Sequence, residues 1–480
     1  MNKRLLCHLV GNVVRVCGAL MILPIIVSLI KRSGDTLPLL LSMLIALAVG
    51  TALALVQPRR DTLRAREGFA IVAFSWIIVS FLGGLPFFFS GHIPSLVDCF
   101  FETVSGFTTT GATILTDVEA LPKGLLFWRS FTHWAGGMGV LVLSLALIPK
   151  MGARSIHLMR AESPGPSTDK LVPRVANNAK ILYELYVALS LLMVAALLFC
   201  GLNLYDALTH MFGAAGTGGF GVYNSSIAWY NSAAVDVVIG VFMALFGVNF
   251  SLYYYIITRN WKVALKNSEL QTYLGLLLGV SVVIALNIMP QYGGSFFTAL
   301  RYSFFQCSSI MTTTGYATAD FDAWPQLSRC LLVMLMIIGA SAGSTGGGIK
   351  VIRLQLLLKS LMRDIRRTVH PKSVNTIKLD GHTVDESILS GVQGFFFAYA
   401  LVLVVATVIV SFDGFSFETN VTAVIATLSN IGPGLGTVGP TGNFAAFSNV
   451  SKLVLSMCML IGRLEIFPIL MLLDPDAWKR

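Results

Sequence analysis

The sequence predicts an all-α polytopic membrane protein, with four span–half-helix–span repeats behind an N-terminal pair of spans. Three observations predict it. The 480 residues are 55% hydrophobic and only 12% charged, which is about half the charged fraction of an ordinary soluble domain. Apolar runs long enough to cross a bilayer lie near 9–30, 37–57, 68–90, 125–149, 180–202, 233–258, 270–290, 326–349, 387–411 and 450–473. Between them, shorter apolar stretches near 96–107, 205–215, 296–311 and 417–429 are too short to span and too apolar for ordinary loops. That is the length of re-entrant half-helices. Composition excludes an ordinary soluble enzyme, a disordered chain and a nucleic-acid module.

The net charge of +10 reflects topology. The gaps 59–67, 150–180, 259–266 and 350–378 hold 21 Lys/Arg against five Asp/Glu. The gaps 91–123, 201–232, 291–329 and 413–452, which contain the short stretches, hold four bases against nine acids. The first set therefore faces the cytoplasm and the half-helices enter from the other side. Ten spans place both termini in the cytoplasm. Lys3 and Arg4 resemble a signal-peptide start, but no small-residue cleavage site follows, so the first run reads as a retained span. Seven scattered cysteines form no CxxC pair and read as reduced small hydrophobes.

Internal repetition fixes the architecture. Asp98–Gly111, DCFFETVSGFTTTG, and Tyr302–Gly315, YSFFQCSSIMTTTG, are identical at seven of 14 positions. Asp206–Gly219 keeps the spacing and ends in GTGG, and the fourth copy ends in SNIGPG, with Asn430-Ile431-Gly432 aligned to Thr109-Thr110-Gly111. The expected units are 1–58 (the helix pair), 66–149, 178–258, 268–365 and 385–474. Four copies in one chain give approximate fourfold symmetry. A half-helix entering from outside ends near mid-membrane, with roughly half a negative charge at its carbonyl end. Four such ends aimed at one axis favour a cation. The segment that follows can turn backbone carbonyls inward to replace an ion's hydration shell.

On these residues the chain resembles the Trk/Ktr/HKT superfamily of potassium transporters, most of all its bacterial TrkH branch, which carries an extra N-terminal helix pair. The resemblance covers nearly the whole chain. It implies a potassium-channel-like filter with glycines at Gly111, Gly219, Gly315 and Gly432. The lining carbonyls would come from these and from Thr109, Thr110, Thr217, Gly218, Thr313, Thr314, Asn430 and Ile431. Loop two lacks the triple Thr, and Pro433 follows the glycine of loop four, so selectivity is expected to be looser than with four identical filters. The resemblance further implies potassium as the transported ion and no cofactor on this chain. Its expected setting is the bacterial cytoplasmic (inner) membrane, as a homodimer. The partner would be a TrkA-like cytosolic ring binding NAD, ATP or ADP, because no soluble stretch here exceeds about 30 residues, too few for such a domain. The basic cytoplasmic face would also meet anionic membrane lipids.

A second motif lies beneath the filter. Gly339–Lys350, GASAGSTGGGIK, sets five glycines and three Ser/Thr hydroxyls inside an otherwise helical run, where each glycine costs nearly 1 kcal/mol relative to alanine. A break there would be a flexible constriction, and the resemblance implies an intramembrane gate. Its candidate residues are Gly339, Ser341, Gly343, Ser344, Thr345, Gly346, Gly347, Gly348 and Lys350. Arg463 in the last run is an ionisable group at membrane depth. It would repel cations at the gate, or pair with Glu465 or loop carbonyls. His133, beside Trp134 and Gly136-Gly137, reads as packing.

Two soluble-enzyme patterns also occur. Gly216–Gly221, GTGGFG, matches a dinucleotide fingerprint without a preceding strand. Gly339–Gly343, GASAG, matches a nucleophile elbow without strand–turn–helix context. The second supports a rival class, an intramembrane serine hydrolase pairing Ser341 with His133 or His210. Within transport, the rival is a sodium- or proton-coupled carrier, although carriers often show inverted repeats and all four half-helices here enter from one side.

Overall fold

The computed structural model describes residues 2–58, 65–137, 139, 175–371 and 375–478. Six helices among them are long and apolar enough to cross a membrane: Lys3–Lys31, Thr36–Ala54, Arg66–Phe89, Lys180–Phe199, Ser268–Tyr292 and Glu386–Asp413. Their outward faces are rich in exposed apolar side chains. Leu401, Val404, Val405 and Val408 are all exposed on the last of these helices, an arrangement suited to lipid rather than water.

Three runs are interrupted: the break expected after Ile338 is present, and the expectation of uninterrupted spans needs correction at 233–258 and 450–473. Ala233–Phe246 and Phe250–Ile257 form a broken span bent by 93°. Gly247 ends its first half, and Asn249 caps the second by accepting the Ser251 N–H at 2.9 Å. Helix Gln326–Ile338 stops at Gly339, φ +73°, and helical structure resumes only at Val351. Helix Asn449–Arg463 stops before Glu465 and Ile466, with φ of +58° and +67°, and resumes at Phe467. Pro468 is the cause, since a proline ring clashes with the carbonyl four residues earlier in a continuous helix. The run 125–149 begins as helix Lys123–Gly137, and its second half lies outside the described residues, as do most of the basic gaps 59–67 and 150–180.

The half-helices are Leu96–Phe107, Leu204–Gly216, Phe296–Met311 and Phe417–Leu428. Each starts from a polar cap. The side chains of Ser95, Asn203, Ser295 and Ser416 accept the N–H three residues on, from Asp98, Asp206, Thr298 and Thr419. Such a cap stabilises a helix start by about 1 kcal/mol. The third half-helix has 16 residues against 12 or 13 in the others, so it begins about one turn farther out.

In the N-terminal pair, Lys3–Leu20 packs antiparallel against Thr36–Ala54 through Gly11 and Gly50. A methyl group on Gly11 would sit 2.5 Å from the Ala54 nitrogen, so only hydrogen lets the backbones approach. Asp35 then ties the pair to the first repeat, accepting the Leu125 N–H at 2.6 Å and the Ser28 hydroxyl at 2.5 Å. One feature departs from all-α: Lys378–Leu379 pairs antiparallel with His382–Thr383. The turn between them is Asp380-Gly381, both at positive φ, the chemistry of a tight hairpin.

Candidate functional site

All four half-helices end in the same backbone closure. Thr109, Thr217, Thr313 and Asn430 adopt the left-handed conformation at φ +56°, +56°, +59° and +56°. Each donates its N–H to the carbonyl three residues back, at 3.1 to 3.2 Å. The next N–H reaches five residues back at 2.8 Å in every copy: Thr110 to Ser105, Gly218 to Gly213, Thr314 to Ser309 and Ile431 to Ala426. This pair of bonds is the Schellman closure of a helix C-terminus. Gly111, Gly219, Gly315 and Gly432 follow at φ +81°, +76°, +84° and +99°, where a side chain would be strained. Asn430 and Ile431 thus take the same backbone stations as Thr109 and Thr110.

The four closures meet in a ring. A methyl group built on Gly111 would overlap the Gly218 carbonyl oxygen, one on Gly219 that of Thr314, and one on Gly315 that of Ile431. One on Gly432 would lie 2.7 Å from the Thr110 oxygen. Each glycine therefore abuts the carbonyl that precedes the next glycine, and the fourth contact returns to the first loop. All four glycines line one cavity of about 150 Å³. The Thr side chains serve the scaffold: Thr108 with Thr110, and Thr312 with Thr314, share hydroxyl hydrogen bonds at 2.8 Å. Asn430 donates to the Thr110 hydroxyl at 2.9 Å and to the Met459 carbonyl at 2.9 Å. The Tyr316 hydroxyl spans loops three and two, donating to the Phe220 carbonyl at 3.1 Å. Such a ring of converging helix C-termini and backbone oxygens suits a dehydrated hard cation.

The glycine-rich segment 339–350 lies directly beneath. Gly347 donates its N–H to Thr313 Oγ1 at 2.6 Å, and a methyl group on it would overlap the Ser429 carbonyl. The break in the second repeat holds the segment from one side. Ser341 N–H donates to the Gly247 carbonyl at 3.1 Å, and Phe250 N–H to the Gly343 carbonyl at 3.0 Å. The break in the fourth repeat holds it from another side. Arg463 donates to the Thr345 carbonyl at 2.8 Å and reaches on to the carbonyls of Gly136 and Gly137, at 2.5 and 2.8 Å. Of the alternatives for Arg463, loop carbonyls are its partners, while Glu465 pairs with Arg353. Lys350 folds its ammonium back onto the Gly346 carbonyl. Glu269 Oε1 accepts the N–H of Ala342 at 2.7 Å and of Ile352 at 3.3 Å, bracketing the segment.

Comparison with known proteins decides the family. The family model described as "TrkH: Cation transport protein" matches residues 39–291 and 295–477. The chain belongs to the TrkH family. It is 39% identical over 485 residues to the Trk system potassium uptake protein TrkH of Salmonella typhimurium, and 38% identical over 486 residues to that of Escherichia coli. Each alignment covers 100% of both chains. The crystal structure of the potassium transporter TrkH from Vibrio parahaemolyticus superimposes with a TM-score of 0.89 at 34% identity, over 100% of both chains.

Membership in a family of transport proteins removes the hydrolase reading. The geometry agrees: Ser341 Oγ hydrogen-bonds to neither histidine. His133 Nδ1 instead meets the Gly106 carbonyl at 2.7 Å, and His210 Nε2 meets the Tyr230 hydroxyl at 2.8 Å. GTGGFG is the closure of the second half-helix, with no strand before it. Sequence reasoning missed Gly247, Asn249 and Glu269, which grip the glycine-rich segment, and Glu102 with Arg129 behind the ring. The available signal was Glu102, a carboxylate amid the apolar residues of a half-helix, whereas Glu269 sits in the polar stretch KNSELQ at a span's end and carries no such signal.

Proposed function

We propose that the chain mediates potassium uptake across the bacterial cytoplasmic membrane, through a channel-like pore whose filter is the ring of four glycine-bearing loops. One observation carries the reading: the cyclic contacts of Gly111, Gly219, Gly315 and Gly432 with the carbonyls of Gly218, Thr314, Ile431 and Thr110. They support a reading with equivalent backbone oxygens at four stations around one axis. Beneath them the 339–350 segment, held by Arg463, acts as the gate, and the Arg463 and Lys350 charges raise the barrier to cations while it is closed. Both termini face the cytoplasm. The working unit is a homodimer, and a cytosolic nucleotide-binding ring of the TrkA kind drives the gate through helix Val351–Val369. The potassium-transporting names of the full-length relatives support this substrate.

The test is cation-competition flux through the purified protein in liposomes. Rubidium uptake driven by a potassium gradient is expected to be blocked by external potassium, with sodium about tenfold or more weaker, a difference of about 1.4 kcal/mol. Equal block by sodium, or uptake that halts unless sodium or protons move in fixed ratio, would replace the selective pore with a non-selective one or a carrier.

A further inference from the structure

Behind loops one and two lies an ion pair that the filter reading does not use. Glu102 sits on the first half-helix at 1% exposure, and Arg129 on helix Lys123–Gly137 at 3%. Their Oε1 and Nε are 2.6 Å apart. Glu102 also accepts the Thr113 hydroxyl at 3.0 Å and the Ile114 N–H at 3.0 Å, both on the segment leaving Gly111. Arg129 extends the link to the next loop, donating to the Gly221 carbonyl at 3.1 Å with its guanidinium 3.5 Å from the Phe220 ring centre. Arg129 also lines the cavity shared by the four glycines. A cationic side chain thus faces the outer mouth of a cation site, balanced by one buried carboxylate.

The other repeats show what this station does. The residue nine positions before the filter glycine is Glu102, His210, Gln306 or Ala423. Gln306 donates to the Ala319 carbonyl of its own loop at 3.2 Å, and His210 bonds Tyr230 at 2.8 Å. Three repeats thus use a buried polar side chain to hold the segment after the filter, and only the first does so with a charge that reaches the neighbouring loop.

We propose that the Glu102–Arg129 pair is a specificity-determining element of the pore. It fixes the spacing of loops one and two, and it cancels the charge Arg129 presents to incoming cations. This rests on the filter reading. Arg129 positions backbone oxygens through the Gly221 carbonyl and does not itself coordinate the ion. Lysine cannot replace it, because the planar guanidinium donates to Glu102 and Gly221 while stacking on Phe220, and an ammonium, with three donors but no rigid fork and no flat face, cannot stack while holding both acceptors.

The experiment measures potassium-to-sodium permeability ratios and their salt dependence in liposomes for Glu102→Gln, Arg129→Lys and Thr113→Val, with Gly315→Ala as reference. Glu102→Gln keeps an acceptor but leaves Arg129 uncompensated. Its potassium flux should fall about tenfold at low salt and recover only in part above 0.1 M, because Arg129 is 3% exposed and a buried charge is screened less than a surface one. Arg129→Lys should lower the permeability ratio about tenfold with little salt dependence. Thr113→Val, which removes one donor to Glu102, should shift the ratio in the same direction and by less. The salt dependence is a readout that a purely structural role would not move. Wild-type ratios and salt dependence in folded Arg129→Lys and Thr113→Val overturn the proposal while Gly315→Ala loses discrimination, whether or not Glu102→Gln folds. If Gly315→Ala also keeps wild-type discrimination, the filter reading itself fails.

Discussion

Replacing Gly315 with alanine is expected to abolish most discrimination between potassium and sodium while leaving the protein folded. At φ +84° a Cβ costs about 1–2 kcal/mol in backbone strain alone. The heavier effect is spatial, because the new methyl group would overlap the Ile431 carbonyl oxygen, one of the four oxygens of the proposed filter. The carbonyl must rotate or the loop must retreat, and either change breaks the ring at one station. A loss of only about 1.4 kcal/mol of differential binding erases tenfold selectivity. Gly293, also at positive φ (+64°) but with open space around it, is the control: Gly293→Ala should keep wild-type selectivity. Permeability ratios of both variants, with thermal unfolding as a check on folding, decide the point. A Gly315→Ala protein with wild-type ratios would show that these carbonyls do not select the ion.

Deleting Gly343–Gly348 should leave the pore open without its partner. The segment fills the space beneath the ring, contacting Thr313 and the Ser429 carbonyl above it, and it is held by hydrogen bonds from two neighbouring repeats. If it keeps the pore shut 99 times in 100, its removal raises resting flux about a hundredfold. Arg463→Gln provides a gentler version, since it withdraws the guanidinium that joins Thr345 to Gly136 and Gly137. It should give a smaller rise in the same direction. Resting flux and nucleotide control that stay at wild-type levels in both proteins would refute the gate.

The parts of this fold that are legible in the sequence are those encoded locally. Seven identities between Asp98–Gly111 and Tyr302–Gly315 announce a repeated half-helix, and the glycine that ends each copy marks the turn. Five glycines in twelve residues announce the break after Ile338. The bend at Gly247 is not announced, because a single glycine in an apolar run is tolerated in many helices and only the tertiary bonds from Ser341 and Phe250 fix it. The break at Glu465 was legible in Pro468, though hydropathy hides it. Partnerships such as Glu102–Arg129, 27 residues apart, or Arg463–Gly136, 327 apart, depend on how repeats pack, which no local pattern records. The hairpin at Asp380-Gly381 was readable from its turn chemistry and passed over because the flanking strands are two residues each.

The central claim is tested most directly by locating the ion. Anomalous scattering from crystals grown with rubidium in place of potassium would show it. The expected density lies on the axis of the ring, equidistant from the carbonyl oxygens of Thr110, Gly218, Thr314 and Ile431. Rubidium found only elsewhere, with that axis bare at saturating concentration, would contradict the account.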